Sequence, residues 1–142
     1  MKFLAMTDAL TLAIHTIELM SRDPSHRWTT RQIAHQFAAS EHHLAKIHTR
    51  LVKSGLLHSV RGPKGGLILA KDPATIYLID IFNVIEGPFQ PSKCLFGQPV
   101  CHRTTCLFGS LIQDIDERVR TYLCSMTVAD LLEPADQCRI SE

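Results

Sequence analysis

No stretch of the chain approaches the ~20 consecutive apolar residues that a membrane-crossing helix needs. The opening Met1-Lys2-Phe3-Leu4-Ala5-Met6 resembles the start of a secretory leader, but Asp8, His15 and Glu18 interrupt it and no small-residue cleavage site follows. The expected compartment is therefore the cytoplasm. Excess charge of one sign is missing as well: the formal net charge is +1, which alone points to no polyanionic partner. The five cysteines are an odd total for a disulfide framework, and a chain of this size can build a core without such staples. A phosphate-cradling loop is lacking, because the glycine-rich Arg61–Gly66 has no P-loop spacing and lies between apolar runs rather than before a helix. No nucleophile or acid–base pair is marked by a motif, so an enzyme has little support. Internal repeats and low-complexity segments are absent too.

What is present is a chain of 142 residues, 45% hydrophobic and 20% charged, enough to bury one core with an added oligomerisation element. The charge is unevenly spread. Residues 1–72 carry ten Lys/Arg against five Asp/Glu, whereas residues 73–142 carry five against nine. A basic half that meets nucleic acid and a second half with another task would produce that split.

The apolar spacing predicts helices over residues 7–21, 29–37 and 40–55, the first capped by Thr7 or Asp8, the second by Thr29 or Thr30, the third by Ser40. Leu44, Ile47 and Leu51 form one face of the third helix. Two short apolar runs around Arg61-Gly62-Pro63-Lys64-Gly65-Gly66 predict a β-hairpin. Three helices and then a hairpin is the order of a winged helix-turn-helix. A fourth, strongly apolar helix is expected over 74–86, stopped by Gly87-Pro88, and residues 88–105 read as a loop. A long helix over 106–125 follows, with Leu107, Leu111, Ile115, Val119, Tyr122, Leu123 and Met126 as its stripe, and residues 128–132 add a turn or two. The fold class is thus mainly α with a β-hairpin wing. The expected division is a DNA-binding domain over 1–87, a cysteine loop over 88–105, and a dimerisation helix with its tail over 106–142. A second subunit is the economical partner for the long helix.

Between His42 and Lys64 there are five cations, Lys46, Arg50, Lys53, Arg61 and Lys64, and no Asp or Glu. Lys46, Arg50 and Lys53 recur at i, i+4 and i+7, largely off the apolar face, as suits a helix entering the major groove. Arg61 and Lys64 mark the hairpin tip, where Gly62 and Gly65 let backbone come close to a phosphate or the minor groove. His42, His43 and His48 are further candidate contacts. A solvated basic face is the plainer reading of such a run, but here the cations coincide with the elements that would need them.

Cys94, Cys101 and Cys106 fall within thirteen residues, which in a reducing compartment suits a metal or redox site. A cluster of soft thiolates fits iron–sulfur ligation. An oxidisable thiol pair activated by Lys93 or Arg103, a zinc site, or cysteines without a sensing role are the other readings. Cys124 suits packing on the long helix, and Cys138 lies in the tail.

The run from Leu51 through Gly55-Leu56-Leu57, Val60-Arg61-Gly62-Pro63-Lys64-Gly65-Gly66 to Leu69-Ala70 resembles the wing signature of the IscR/NsrR regulators, the Rrf-two family. The likeness extends from Met1 to Leu132, with Leu67 where an aromatic often follows the two glycines. It implies a homodimer with crossing C-terminal helices, a palindromic duplex-DNA operator, and a regulator, expected to repress, that senses nitric oxide, redox state or iron. It also implies an iron–sulfur cluster on Cys94, Cys101 and Cys106. The gaps here are six and four residues, where the family commonly has five and five. Members that resemble IscR place a histidine three residues after the last cysteine, a position held here by Gly109. Members that resemble NsrR use an early aspartate of the other subunit, which matches Asp8 and favours [4Fe-4S] over [2Fe-2S]. His102 is the reserve ligand. A cluster-free thiol switch, or a helix-turn-helix module that binds another protein, is the alternative.

Overall fold

Thr7 opens the first helix by accepting a hydrogen bond from the Leu10 amide, and α1 (Asp8–Arg22) follows. The computed structural model describes residues 6–92, 102, 104 and 106–132. Leu10, Ala13, Ile17 and Met20 recur at helical spacing and are wholly or almost wholly buried, so α1 carries a continuous apolar stripe into the core. α2 (Thr30–Gln36) starts with a reciprocal cap in which Thr29 and Gln32 satisfy each other's amides. Ser40 caps α3 (Glu41–Lys53), whose Leu44, Ile47 and Leu51 face the core. Between α2 and α3, Ala38 adopts φ +49, a left-handed turn that redirects the chain without a glycine.

β1 (Leu57–Val60) and β2 (Gly66–Leu69) pair antiparallel, Leu57 opposite Leu69 and Val60 opposite Gly66. Two helical elements replace the single fourth helix expected over 74–86. A 3-10 turn spans Pro73–Thr75, and α4 (Leu78–Glu86) begins only after an extended Ile76. The interruption has a cause: Ile76 and Tyr77 are used as strand. Val128 donates to the Ile76 carbonyl at 2.8 Å, Leu78 donates to Met126 at 3.0 Å, and Tyr77 bridges Thr127. Asp80 then reaches back to the Tyr77 amide at 3.0 Å and restarts the helix.

The long helix α5 runs Gly109–Ser125, three residues shorter at its start than expected. α6 (Val128–Leu132) turns back against α1 and the 3-10 turn, its first amides capped by the Asp130 and Thr127 side chains. The expected stripe is divided. Of its residues Leu123 is buried, whereas Leu107, Leu111 and Tyr122 are more than half exposed, and Ile112, outside the stripe, is buried instead. The fold is a winged helix-turn-helix followed by a long helix whose far end is stitched to the head. Among the described residues no helix is long and apolar enough to cross a membrane.

His48, a candidate DNA contact by sequence, faces inward instead. It is 3% exposed, with Nδ1 3.0 Å from the Thr30 hydroxyl and Nε2 buried without a partner. Its position one residue after Ile47 turns it toward α2, and burial lowers its pKa from 6.5 to about 4. The unfolded chain therefore takes up a proton that the folded state refuses. The stability His48 supplies is complete above pH 6.5 and is lost as pH falls toward 4, with a slope approaching about 1.4 kcal/mol per pH unit. Urea unfolding at stepped pH is expected to show this decline, and His48→Phe is expected to flatten it across that window.

Candidate nucleic-acid interface and cysteine loop

α3 is divided lengthwise. Its apolar side is buried, while His42, His43, Lys46, Arg50 and Lys53 are exposed. Glu41 in its first turn and Arg50 and Lys53 in its last complement the helix dipole, so the exposed cations also stabilise the helix that carries them. At the wing tip Arg61, Gly62, Pro63 and Lys64 are exposed. The tip closes through a 2.9 Å bond from the Gly65 amide to the Gly62 carbonyl, with Gly62 at φ +113. A Cβ at Gly65 would lie 2.2 Å from the Val60 carbonyl oxygen and 2.8 Å from that of Gly62, so the turn admits glycine alone at that position.

One cation escaped the sequence reading. Arg27 lies outside the helix and hairpin that drew attention, in the segment leading into α2, yet its Nη1 donates to the Lys64 carbonyl at 3.2 Å. Its neighbour Trp28 pairs with Leu67 of β2. The signal available in advance was the wing glycine Gly66, whose missing side chain leaves room for a neighbouring segment.

The cysteine loop is legible in part. Cys94, Cys101 and Cys138 lie outside the described residues, as do Lys93 and Arg103, while Cys106 and His102 are exposed and Cys106 is a free thiol. Cys124, expected to pack, is exposed on α5. The entry to the loop is well anchored. Gly87, at φ +86, ends α4; Phe89 donates to the Asn83 side chain at 3.1 Å and packs on Phe82, and the Ser92 amide donates to the Asp116 carboxylate. The Thr7 hydroxyl donates to Glu86, which sets the start of α1, and with it exposed Asp8, beside the end of α4. A side chain at Gly109 would come within 3.3 Å of the Cys106 Cβ, so the start of α5 packs closely on Cys106. Among the described residues no three His, Cys, Asp or Glu side chains form a metal-binding group, and two of the three clustered cysteines are outside that set.

Between the start of α1, α4 and α5 lies an open cavity of about 770 Å³, lined largely by Ile14, Leu78, Phe82, Phe89, Val119 and Tyr122. Leu107, Phe108 and Leu111 extend the apolar exposure along the first half of α5.

With this geometry described, the likeness to known proteins is specific. The family model described as Rrf2, iron-dependent transcriptional regulator, matches residues 6–134. The HTH-type transcriptional regulator IscR of Yersinia pseudotuberculosis is 29% identical over 100 residues, which are 70% of this chain and 61% of that protein. The match therefore spans less than two thirds of that relative's length. Among solved structures, CymR, the global cysteine regulator of B. subtilis, superposes with a TM-score of 0.73 at 29% identity, covering 91% of this chain and 96% of that one. IscR of T. potens superposes with a TM-score of 0.72 at 23% identity, covering 98% and 93%.

The glycines of the hairpin region carry a testable contrast. Gly55, at φ +78, has nothing within 4 Å of a built Cβ, so Gly55→Ala meets only backbone strain of roughly 1 kcal/mol. Gly65→Ala adds backbone collisions and is expected to cost more, about 2–3 kcal/mol, unless the tip rearranges. Chemical denaturation of both variants ranks them.

Proposed function

This chain belongs to the Rrf2 family of transcriptional regulators, and on that footing we propose that it is a homodimeric regulator that binds duplex DNA and senses through an iron–sulfur cluster. The observation that carries the DNA reading is the exposure of all five cations between His42 and Lys64 around a buried apolar face. Lys46, Arg50 and Lys53 meet the major groove with His42 and His43, and Arg61, Gly62, Lys64 and Gly65 meet the backbone or minor groove beside it. The exposed apolar residues of α5 and the adjoining cavity support a second copy of the chain as their cover, with the resulting two-fold axis calling for a palindromic operator.

Cys94, Cys101 and Cys106 would hold the cluster, [4Fe-4S] in preference to [2Fe-2S], with Asp8 of the second subunit as fourth ligand. The donor set suits it: three soft thiolates, one of them the exposed Cys106, and an exposed carboxylate, Asp8, able to reach a second copy of the chain. The cluster would supply the reactivity toward nitric oxide, oxygen or iron shortage. The chain's own part is mechanical. Asp116 and Asn83 tie the entry of the loop to α5 and α4, and Ile76 and Leu78 tie α4 to the α5–α6 corner. Strain in the loop thus reaches both the dimer helix and the head that carries α3. A small rotation of two heads spaced for successive half-sites costs much of the specific affinity. A cluster-free thiol switch is the second reading, favoured by the exposed Cys106 thiol.

Two measurements test this reading. Protein purified without oxygen is expected to be brown, to carry iron and sulfide, and to lose both in Cys106→Ala; a protein colourless and metal-free after reconstitution leaves the thiol switch. Affinity for a duplex selected from a random pool is expected to fall steeply with salt. Arg50→Ala is expected to weaken binding and lower the log–log salt slope by about 1. A salt-independent affinity would contradict the DNA reading.

A further inference from the structure

The wing is held at its base by Trp28 and at its tip by Arg27. At the base, Trp28 donates to the Leu67 carbonyl at 3.1 Å and accepts from the Leu67 amide at 2.6 Å, an isolated antiparallel bridge on the outer side of the hairpin. A Cβ at Gly66 would lie 2.9 Å from the Trp28 carbonyl oxygen, so the close approach depends on glycine there. The indole of Trp28 stands edge-on to His26, ring centroids 4.4 Å apart, and packs against the core. At the tip, the strand ladder ends at Val60 and Gly66, and residues 61–64 project into solvent beyond it. Arg27 reaches this projection: its Nη1 donates to the Lys64 carbonyl, between the two exposed cations of the wing and the ladder.

We infer that Arg27 is a positioning residue for the wing, a latch that holds Arg61 and Lys64 where they meet DNA. The inference rests on the DNA reading above. Trp28 is followed directly by Thr29, the cap of α2, so the latch belongs to the same rigid segment as the helix-turn-helix. A loop tip with two cations gains affinity only if their placement is fixed before binding, because freezing it on the DNA costs entropy. Guanidinium suits the task, since its planar fork can bond the Lys64 carbonyl with one nitrogen and keep the others free. Arg27 is itself exposed, so its removal leaves the core intact.

A positioning role and a direct phosphate contact make different forecasts when the wing is disarmed. Binding to the selected duplex is measured for the wild type, Arg27→Ala, the pair Arg61→Ala with Lys64→Ala, and the triple variant. In the intact wing Arg27→Ala is expected to weaken binding about tenfold, the scale of one charge-assisted hydrogen bond. In the disarmed wing the same change is expected to cost less than twofold, because the latch has nothing left to place. The fluorescence of Trp28, the chain's one tryptophan, is expected to shift on Arg27→Ala without DNA, as the Trp28–Leu67 bridge loosens. An equal tenfold loss in both backgrounds would make Arg27 a separate phosphate contact and overturn the latch. So would wild-type affinity in Arg27→Ala. Failure of the wild type to bind duplex DNA at all would instead remove the reading on which the latch rests.

Discussion

The wholly buried face of α1 is the surface on which every other element depends. Leu10, Ala13 and Ile17 have no exposure, and around them pack α3, α4, β2 and α6. Full burial of a side chain such as Leu10 or Ile17 is worth roughly 1.5–3 kcal/mol, so the face governs which arrangements of its neighbours are tolerable. α3, the wing strand β2 and α6 all lean on one support. The start of that support, through Thr7 and Glu86, is joined to the end of α4 where the cysteine loop begins.

This arrangement explains how one small chain can carry an exposed basic surface on a closely packed core. The cations of α3 and the wing lie on the outside of elements whose inner sides are apolar, so charge and core do not compete for the same positions. The exception is His48, a polar ring in the helix-turn-helix interior. It is tolerated because it stays neutral and has the Thr30 hydroxyl beside one nitrogen. On the opposite side, α5 leaves Leu107, Leu111 and Tyr122 uncovered while its end is stitched to Ile76 and Leu78. The described entry to the cysteine loop is thereby tied both to α5 and to α4.

Much of the fold was legible in the sequence because local chemistry decided it. Thr7, Thr29 and Ser40 announce helix starts, and the RGPKGG run announces a tight hairpin that only its glycines permit. What escaped was decided by distant partners. The Ala74–Glu86 segment reads as one helix by hydrophobicity, but Ile76 and Tyr77 are taken as strand by Thr127 and Val128, some fifty residues away. His48 looks like another polar residue of the recognition helix until α2 is seen to cover it. Arg27 lies in no patterned element, and its bond to Lys64 sits beside the bridge that Trp28 makes with Leu67. On the candidate site, the exposure of the five cations agrees with the sequence pattern. The burial of Ile112, outside the expected stripe, and the exposure of Leu111 and Tyr122 within it do not follow from periodicity, which cannot tell a core partner from a second subunit.

The central claim, that α3 and the wing together form the DNA surface, is tested most directly by amide hydrogen exchange with and without the selected duplex. Slowed exchange is expected in residues 42–54, 61–66 and 26–28, with α6 little changed. Protection confined to α5, or none in α3 and the wing while the duplex is bound, would contradict it.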